Sequence, residues 1–223
     1  MQKQLITVVG PTASGKTAFA VRLAHALGGE IISADSRQIY RGMDIGTGKD
    51  LSEYNVNGSP VPYHLIDIRE AGDKYTLFDY QHDFHLALQE VLSRNRRPVL
   101  CGGTGLYIES VLKGYHLPDV PANLALRKSL EGKSIEELTK ILQNYRRLHN
   151  TTDTDTVKRA IRAIEIAHFQ KYNKTLATEF PPLESVVLGL HIDRELRREK
   201  ITARLKARLQ EGMIDEIRSL LDS

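Results

Sequence analysis

"VVGPTASGKTAF", residues 8–19, decides the fold. It begins in an apolar run, "LITVVG" (5–10), and passes through Gly10-Pro11-Thr12-Ala13-Ser14-Gly15-Lys16-Thr17. It leads into "KTAFAVRLAHAL" (16–27), where apolar residues recur at helical spacing until Gly28-Gly29 stops the helix. Two glycines with four residues between them, then Lys-Thr, between a strand and a helix, make the P-loop pattern. The glycines let the backbone curl so that several N–H groups point inward, and the positive end of the helix adds to them. Lys16 brings a mobile charge for an outer phosphate, and the Thr17 hydroxyl suits Mg²⁺. The pattern calls for a diphosphate-like group and leaves open what that group is attached to, ATP included.

Working outward, short apolar runs alternate with amphipathic stretches. "EIISAD" (30–35) and "VPYHLIDI" (61–68) read as strands, "TLFDYQHDFHLALQEVLSRNR" (76–96) as a long helix, "RPVLCGG" (97–103) as a strand, and "TGLYIESVLKG" (104–114) as a helix starting at Thr104. Such alternation predicts a parallel sheet with helices on both faces, an α/β core like that of P-loop NTPases. The pattern then breaks. "YHLPDVPA" (115–122) is a proline-punctuated link, and "SIEELTKILQNYRRLH" (134–149) and "DTVKRAIRAIEIAHFQKY" (155–172) read as helices, the second capped by Asp153 or Thr154. A strand over Val186–Ile192 restores the core, followed by a basic helix from Arg194 to Leu209 and, past Gly212, "MIDEIRSLL". The expectation is a core of residues 1–113 and 185–223 interrupted by an all-helical insertion, 114–184.

Of 223 residues, 41% are hydrophobic and 26% charged, the balance of a soluble globular chain. No apolar run approaches the roughly 20 residues that span a bilayer, so no membrane role is expected. The N-terminus, Met1-Gln2-Lys3-Gln4, has no leader-like run, and the single cysteine, Cys101, rules out an intrachain disulfide; both suit a cytoplasmic protein. Cys101, in "PVLCGG", reads as a small buried hydrophobe. A net charge of +3 is too small to argue for nucleic acid by itself, but its distribution is uneven. "KRAIR" (158–162) places Lys158, Arg159 and Arg162 on one helical face, with Ile161 and Ile164 turned elsewhere, either a solvated face or a surface for an RNA backbone. Arg146, Arg147, Arg159 and Arg162 would also serve a small-molecule kinase closing over phosphates.

The stretch after the second strand narrows the choice. Asp35-Ser36-Arg37-Gln38-Ile39-Tyr40, Met43-Asp44-Ile45-Gly46-Thr47, His64-Leu65-Ile66-Asp67, Gly102-Gly103-Thr104-Gly105-Leu106-Tyr107, Arg159, and Arg162-Ala163-Ile164-Glu165-Ile166 follow the P-loop in fixed order. Together they resemble the tRNA dimethylallyltransferase family, from about Leu5 to the end of the chain. The resemblance implies that the P-loop holds the diphosphate of dimethylallyl diphosphate. It implies an acceptor, the exocyclic amine of the adenosine 3′ of a tRNA anticodon, recognised through the anticodon stem-loop.

The resemblance assigns Asp35 as the general base, with Lys16, Thr17 and Mg²⁺ stabilising the leaving diphosphate. The lesser alternative for Asp35 is a metal-binding or helix-capping carboxylate. Ser36, Arg37, Gln38 and Thr104 match family contacts to the target nucleotide, and Lys158, Arg159, Ala160, Ile161 and Arg162 match a tRNA-contacting segment, although many members carry glutamine at the place of Lys158. Lys200 and Arg204 would lean over the diphosphate, Lys200 standing where members have an arginine; Arg197, Arg198 and Arg208 are expected to face solvent. Asp67 is either a metal- or loop-ordering carboxylate or part of a turn. Tyr40 and Tyr107 read as packing residues and Lys49 as a solvated loop charge. Family members usually continue into a further helical region with a basic, tryptophan-bearing segment, and this chain has no tryptophan. Its length also suits the shorter adenylate isopentenyltransferases, which prenylate free adenine nucleotides, whereas the motifs favour tRNA. A monomer is expected.

Overall fold

The computed structural model describes residues 5–148, 152–173 and 180–222. Five parallel strands form the main sheet: β1 (Leu5–Val9), β2 (Gly29–Ser33), β5 (Tyr63–His64), β6 (Arg97–Cys101) and β7 (Ser185–Gly189), in the order β5-β2-β6-β1-β7. A two-residue hairpin, β3 (Asn55–Val56) with β4 (Ser59–Pro60), lies outside it. Alternate side chains of each strand leave opposite faces. Ile31 and Val99 therefore join one core cluster with Ala20, Val21 and Ala24 of α1 (Lys16–Ala26). Ile32 and Leu100 join another with Tyr80 and Phe84 of α2 (Leu77–Ser93) and Ile108 and Val111 of α3 (Gly105–Leu112). Every residue of β2 is buried, as a strand covered on both faces must be. This is the expected α/β sheet with helices on both faces.

By internal contacts the chain divides into two compact units, Met1–Tyr115 with Phe180–Ser223, and His116–Glu179. The second is built from α4 (Leu124–Leu130), α5 (Ile135–Gln143) and α6 (Val157–Tyr172), with a 3-10 turn at Thr152–Thr154. Its own core joins Leu130, Leu138 and Leu142 to Ala160, Ala163, Ile164 and Ala167. The carboxylate of the buried Glu165 ties it together: it accepts two bonds from Arg127 (2.8 and 2.7 Å), one from the Asn123 amide (2.8 Å) and one from Arg162 (3.2 Å).

Several boundaries differ from the sequence reading. The strand expected over 61–68 keeps only Tyr63–His64, because Leu65 and Asp67 take positive φ (62° and 55°) and break the ladder. The last strand ends at Gly189, paired with Val9, since β1 offers no partner beyond that residue. The cap of α6 is Thr156, whose hydroxyl accepts the Arg159 amide, not Asp153 or Thr154. Helix α4, capped by Asn123, was not anticipated.

In α2, His85 stacks on Phe180 at 3.9 Å, and its Nε2 has no hydrogen-bond partner. Burial, with His82 adding to it, pushes this imidazole down to about 4 from the ordinary 6.5. The neutral ring belongs to the folded state, and the unfolded chain takes up the proton first as pH falls. His85 therefore contributes stability that is complete above pH 6.5 and lost toward pH 4. The thermal midpoint should fall across this range, and less steeply in His85→Leu. Equal slopes would contradict this.

Candidate active site

The carboxyl ends of β1, β2 and β6 converge, the place where open α/β sheets hold ligands. From β1 comes the P-loop. Lys16 Nζ donates to the Pro11 carbonyl (2.9 Å), and the Ser14 amide donates to the same oxygen (3.3 Å). Ala13 sits at φ 65°, and the buried Ser14 Oγ has no partner within the protein. Burial pushes the Lys16 ammonium below its usual range; Arg204 and Arg197 act in the same direction and Asp35 in the other.

From β2 comes Asp35, whose carboxylate accepts the Arg37 amide (3.0 Å). From β6 comes Gly102, where a Cβ would run into the backbone of Ala34. That close approach lets the Thr104 amide bond Ala34 O (2.9 Å) and brings the Thr104 hydroxyl to Ser36, accepting its amide (2.9 Å) and donating to its Oγ (3.1 Å). Thr104 occupies the N-cap position of α3 without a side-chain cap bond; its oxygen serves Ser36 instead. A cavity of about 490 Å³ follows, whose wall includes Lys16, Thr17, Asp35, Gln38, Thr104 and Arg204.

The loop after Asp35 is held from beneath. Lys49, expected as a solvated charge, has a side chain only 1% exposed. Its three N–H groups reach Tyr40 O (2.8 Å), the Asp44 carboxylate (2.7 Å) and the Asp67 carboxylate. Asp67 is thus committed to Lys49, and it lines neither this cavity nor its neighbour of about 530 Å³ on the far side of Lys16 and Thr17. Gln38 extends across to Gly48 O (3.4 Å). Over Gly48, at φ 70°, lies the guanidinium of Arg208, which would have to move aside for a side chain there.

Arg204 and Arg208 belong to α7 (Arg194–Gln210) and line both cavities. Arg208 thus departs from the expected solvent-facing position. Burial and the neighbouring Arg204 push its pKa down. Arg197, half-buried on the same face, contributes to the shift at Lys16, while Arg198 stays exposed beside Glu195. Lys200 is exposed and lines neither cavity, so the structure does not bring it to the P-loop. Spacing carried a signal for Arg208: it lies one turn beyond Arg204. Cys101 is buried, its thiol pushed up to about 12, and Tyr107 stacks on Tyr80 at 3.8 Å.

Within the helical unit, Lys158 and Arg159 are exposed, Arg159 paired with Asp155. Arg162 is half-buried and donates to Val120 O (2.8 Å) as well as to Glu165. Ala160 is wholly buried, and Ile161 is partly buried against that unit's core. Among the described residues no group of three His, Cys, Asp or Glu is placed to hold a metal, and no helix is long and apolar enough to cross a membrane.

Comparison with known proteins settles the lineage. The IPP transferase family model matches residues 38–223, and the isopentenyl transferase model matches residues 3–59. A Porphyromonas gingivalis protein named tRNA dimethylallyltransferase 1 is 64% identical over 219 residues, covering 98% of this chain and 72% of the relative. The chain belongs to the IPP transferase family. A Parabacteroides distasonis tRNA dimethylallyltransferase 1 is 61% identical over 98% of this chain and 71% of its own length. Among solved IPP transferases, the Bacillus halodurans tRNA isopentenylpyrophosphate transferase superposes with a TM-score of 0.67 at 35% identity, covering 99% of this chain and 70% of that one. A eukaryotic dimethylallyltransferase acting on tRNA has a TM-score of 0.78 at 19% identity, covering 98% and 56%, a likeness of fold.

The Lys49 arrangement generates a prediction. Lys49→Met should leave Asp44 and Asp67 without their cation. Both carboxylates are partly exposed, so the loss should fall near the lower end of what removing one partner of a buried ion pair costs, about 3 kcal/mol. Chemical denaturation measures it; a loss below about 1 kcal/mol, as for surface pairs, would contradict the role.

Proposed function

We propose that this chain transfers a dimethylallyl group from dimethylallyl diphosphate to the exocyclic amine of the adenosine 3′ of a tRNA anticodon, releasing diphosphate. One observation carries the reading: Lys16 and Thr17 of the P-loop share a single cavity with Asp35. It stands beside 64% identity to a protein named tRNA dimethylallyltransferase.

The chemistry follows from those groups. The allylic C–O bond breaks, the diphosphate leaves with its electron pair, and positive charge develops on the allyl carbon as the new C–N bond forms. Lys16, the P-loop residues Thr12 and Ala13, and Arg204 and Arg208 surround the place where negative charge grows. Preorganised donors of this kind stabilise a transition state by about 3 kcal/mol each. The adenine amine is a poor nucleophile because its lone pair is delocalised into the ring; Asp35 takes its proton as the bond forms. The base must leave its stack to reach Asp35, so Ser36, Gln38 and Thr104 are the groups we assign to holding it extruded. Arg37 is exposed beside them, and Lys158 and Arg159 are the exposed cations assigned to the RNA backbone, the half-buried Arg162 a lesser contributor.

The donor set fits Mg²⁺, which takes one or two protein oxygens and completes its shell with phosphate and water oxygens. Thr17 would hold it, and when bound it neutralises charge on the diphosphate. Prenylation of a free adenine nucleotide is less well supported, since the relatives are named for tRNA. A small-molecule kinase is less supported still.

Single-turnover transfer of labelled dimethylallyl to tRNA tests the assignment. Asp35→Asn should slow the chemical step by about 10²–10⁴-fold with little change in substrate affinity. Lys16→Ala should lose roughly a hundredfold or more with unchanged circular dichroism. Wild-type single-turnover rates in both variants would refute it; loss of Mg²⁺ affinity alone in Asp35→Asn would make Asp35 a metal ligand instead of the base.

A further inference from the structure

Helices α7 and α8 (Met213–Asp222) contain no buried residue, yet α7 carries both arginines of the site. Apolar packing therefore does little to fix where Arg204 and Arg208 stand. A polar tie is present at Glu216. Its carboxylate accepts three successive backbone amides, those of Asp44 (3.0 Å), Ile45 (2.7 Å) and Gly46 (2.9 Å). Three consecutive N–H groups aimed at one point form an anion-binding concavity, and here the anion comes from the chain itself. Met213, Glu216 and Leu220, one face of α8, all border this loop: an added Cβ would meet Glu216 and Met213 at Gly46, and Leu220 at Gly42.

The same loop carries Gly48, which receives Gln38 on its carbonyl and the Arg208 guanidinium over its α-carbon. Lys49 anchors the loop from the other side, through Asp44. We propose that Glu216 is a positioning residue: by clamping the amides of 44–46 it docks the α7–α8 hairpin on the loop and so sets Arg204 and Arg208 against the diphosphate site. A side chain at Gly46 would press on the Glu216 carboxylate at 3.3 Å.

The inference rests on the proposed use of the P-loop for a prenyl diphosphate, but it has readouts that do not depend on prenyl transfer. Affinity for inorganic pyrophosphate would be measured for wild type, Glu216→Ala, Glu216→Gln, Arg208→Ala and the double variant Glu216→Ala/Arg208→Ala. Glu216→Ala should weaken binding about tenfold. Glu216→Gln, with one acceptor oxygen of the right reach, should lose less. The double variant should lose less than the two single losses combined, because without the Arg208 guanidinium the clamp has only Arg204 left to position. Hydrogen exchange at the amides of 44–46 should speed up in Glu216→Ala while exchange in β1 and β6 stays slow, separating a local release from unfolding. In prenyl transfer, KM for dimethylallyl diphosphate should rise more than kcat falls. Additive losses in the double variant, or unchanged exchange at 44–46, would overturn the role of Glu216. Wild-type pyrophosphate binding with no prenyl transfer to any acceptor would overturn the proposed function and leave the clamp standing.

Discussion

The ammonium of Lys49 meets Tyr40 O, Asp44 and Asp67 at once, and nearly all of its side chain is out of solvent. An ammonium has three donors, and here each has an acceptor. Desolvating such a charge is tolerable only with every donor satisfied. The ion therefore fixes three stretches relative to one another: the turn at Tyr40, the loop at Asp44 and the bend at Asp67, which takes a positive φ just past β5. Asp35, at the start of this segment, and Gly48, at its end, are placed by the same constraint. The wall of the cavity opposite the P-loop is in that sense built on one buried cation.

Charge in the site is crowded by design of the fold. Lys16, Arg204 and Arg208 share a cavity wall, and both Lys16 and Arg208 are pushed down by burial and by neighbouring cations. Mutual repulsion of this kind raises the energy of the empty site and is relieved by a polyanion. Such a site suits a polyanion, as the proposed function requires of it. Asp35 lines the same cavity as an acceptor among these cations, the place the proposed function gives to the general base.

Much of this was legible in the residues because the decisive features are local. The P-loop is a run of eight residues whose backbone follows from two glycines and a following helix, and the strand–helix alternation needs only periodicity. The unread features depend on contacts distant in sequence. Lys49 looks like a loop charge until Asp67, eighteen residues away, folds under it. Arg208 looks like one more cation on a basic helix until α8 turns back and docks on residues 44–46. Lys200 differs in the opposite way: its charge suits the diphosphate and it lies one turn before Arg204, yet it is exposed and lines neither cavity. In the helical unit, Ala160 sits within a basic run yet is consumed by that unit's own core, and Arg162 is largely engaged with Glu165 and Val120. Elements of two to seven residues, the β3–β4 hairpin and α4, carry too few positions for a period to show.

The central claim is that a P-loop geometry here serves prenyl transfer to RNA. The most direct measurement supplies labelled dimethylallyl diphosphate to the chain with an equimolar mixture of tRNA and AMP, and follows where the label goes. Label on the tRNA adenosine 3′ of the anticodon, with AMP unlabelled, is the result expected. Label on AMP with none on tRNA would contradict the claim.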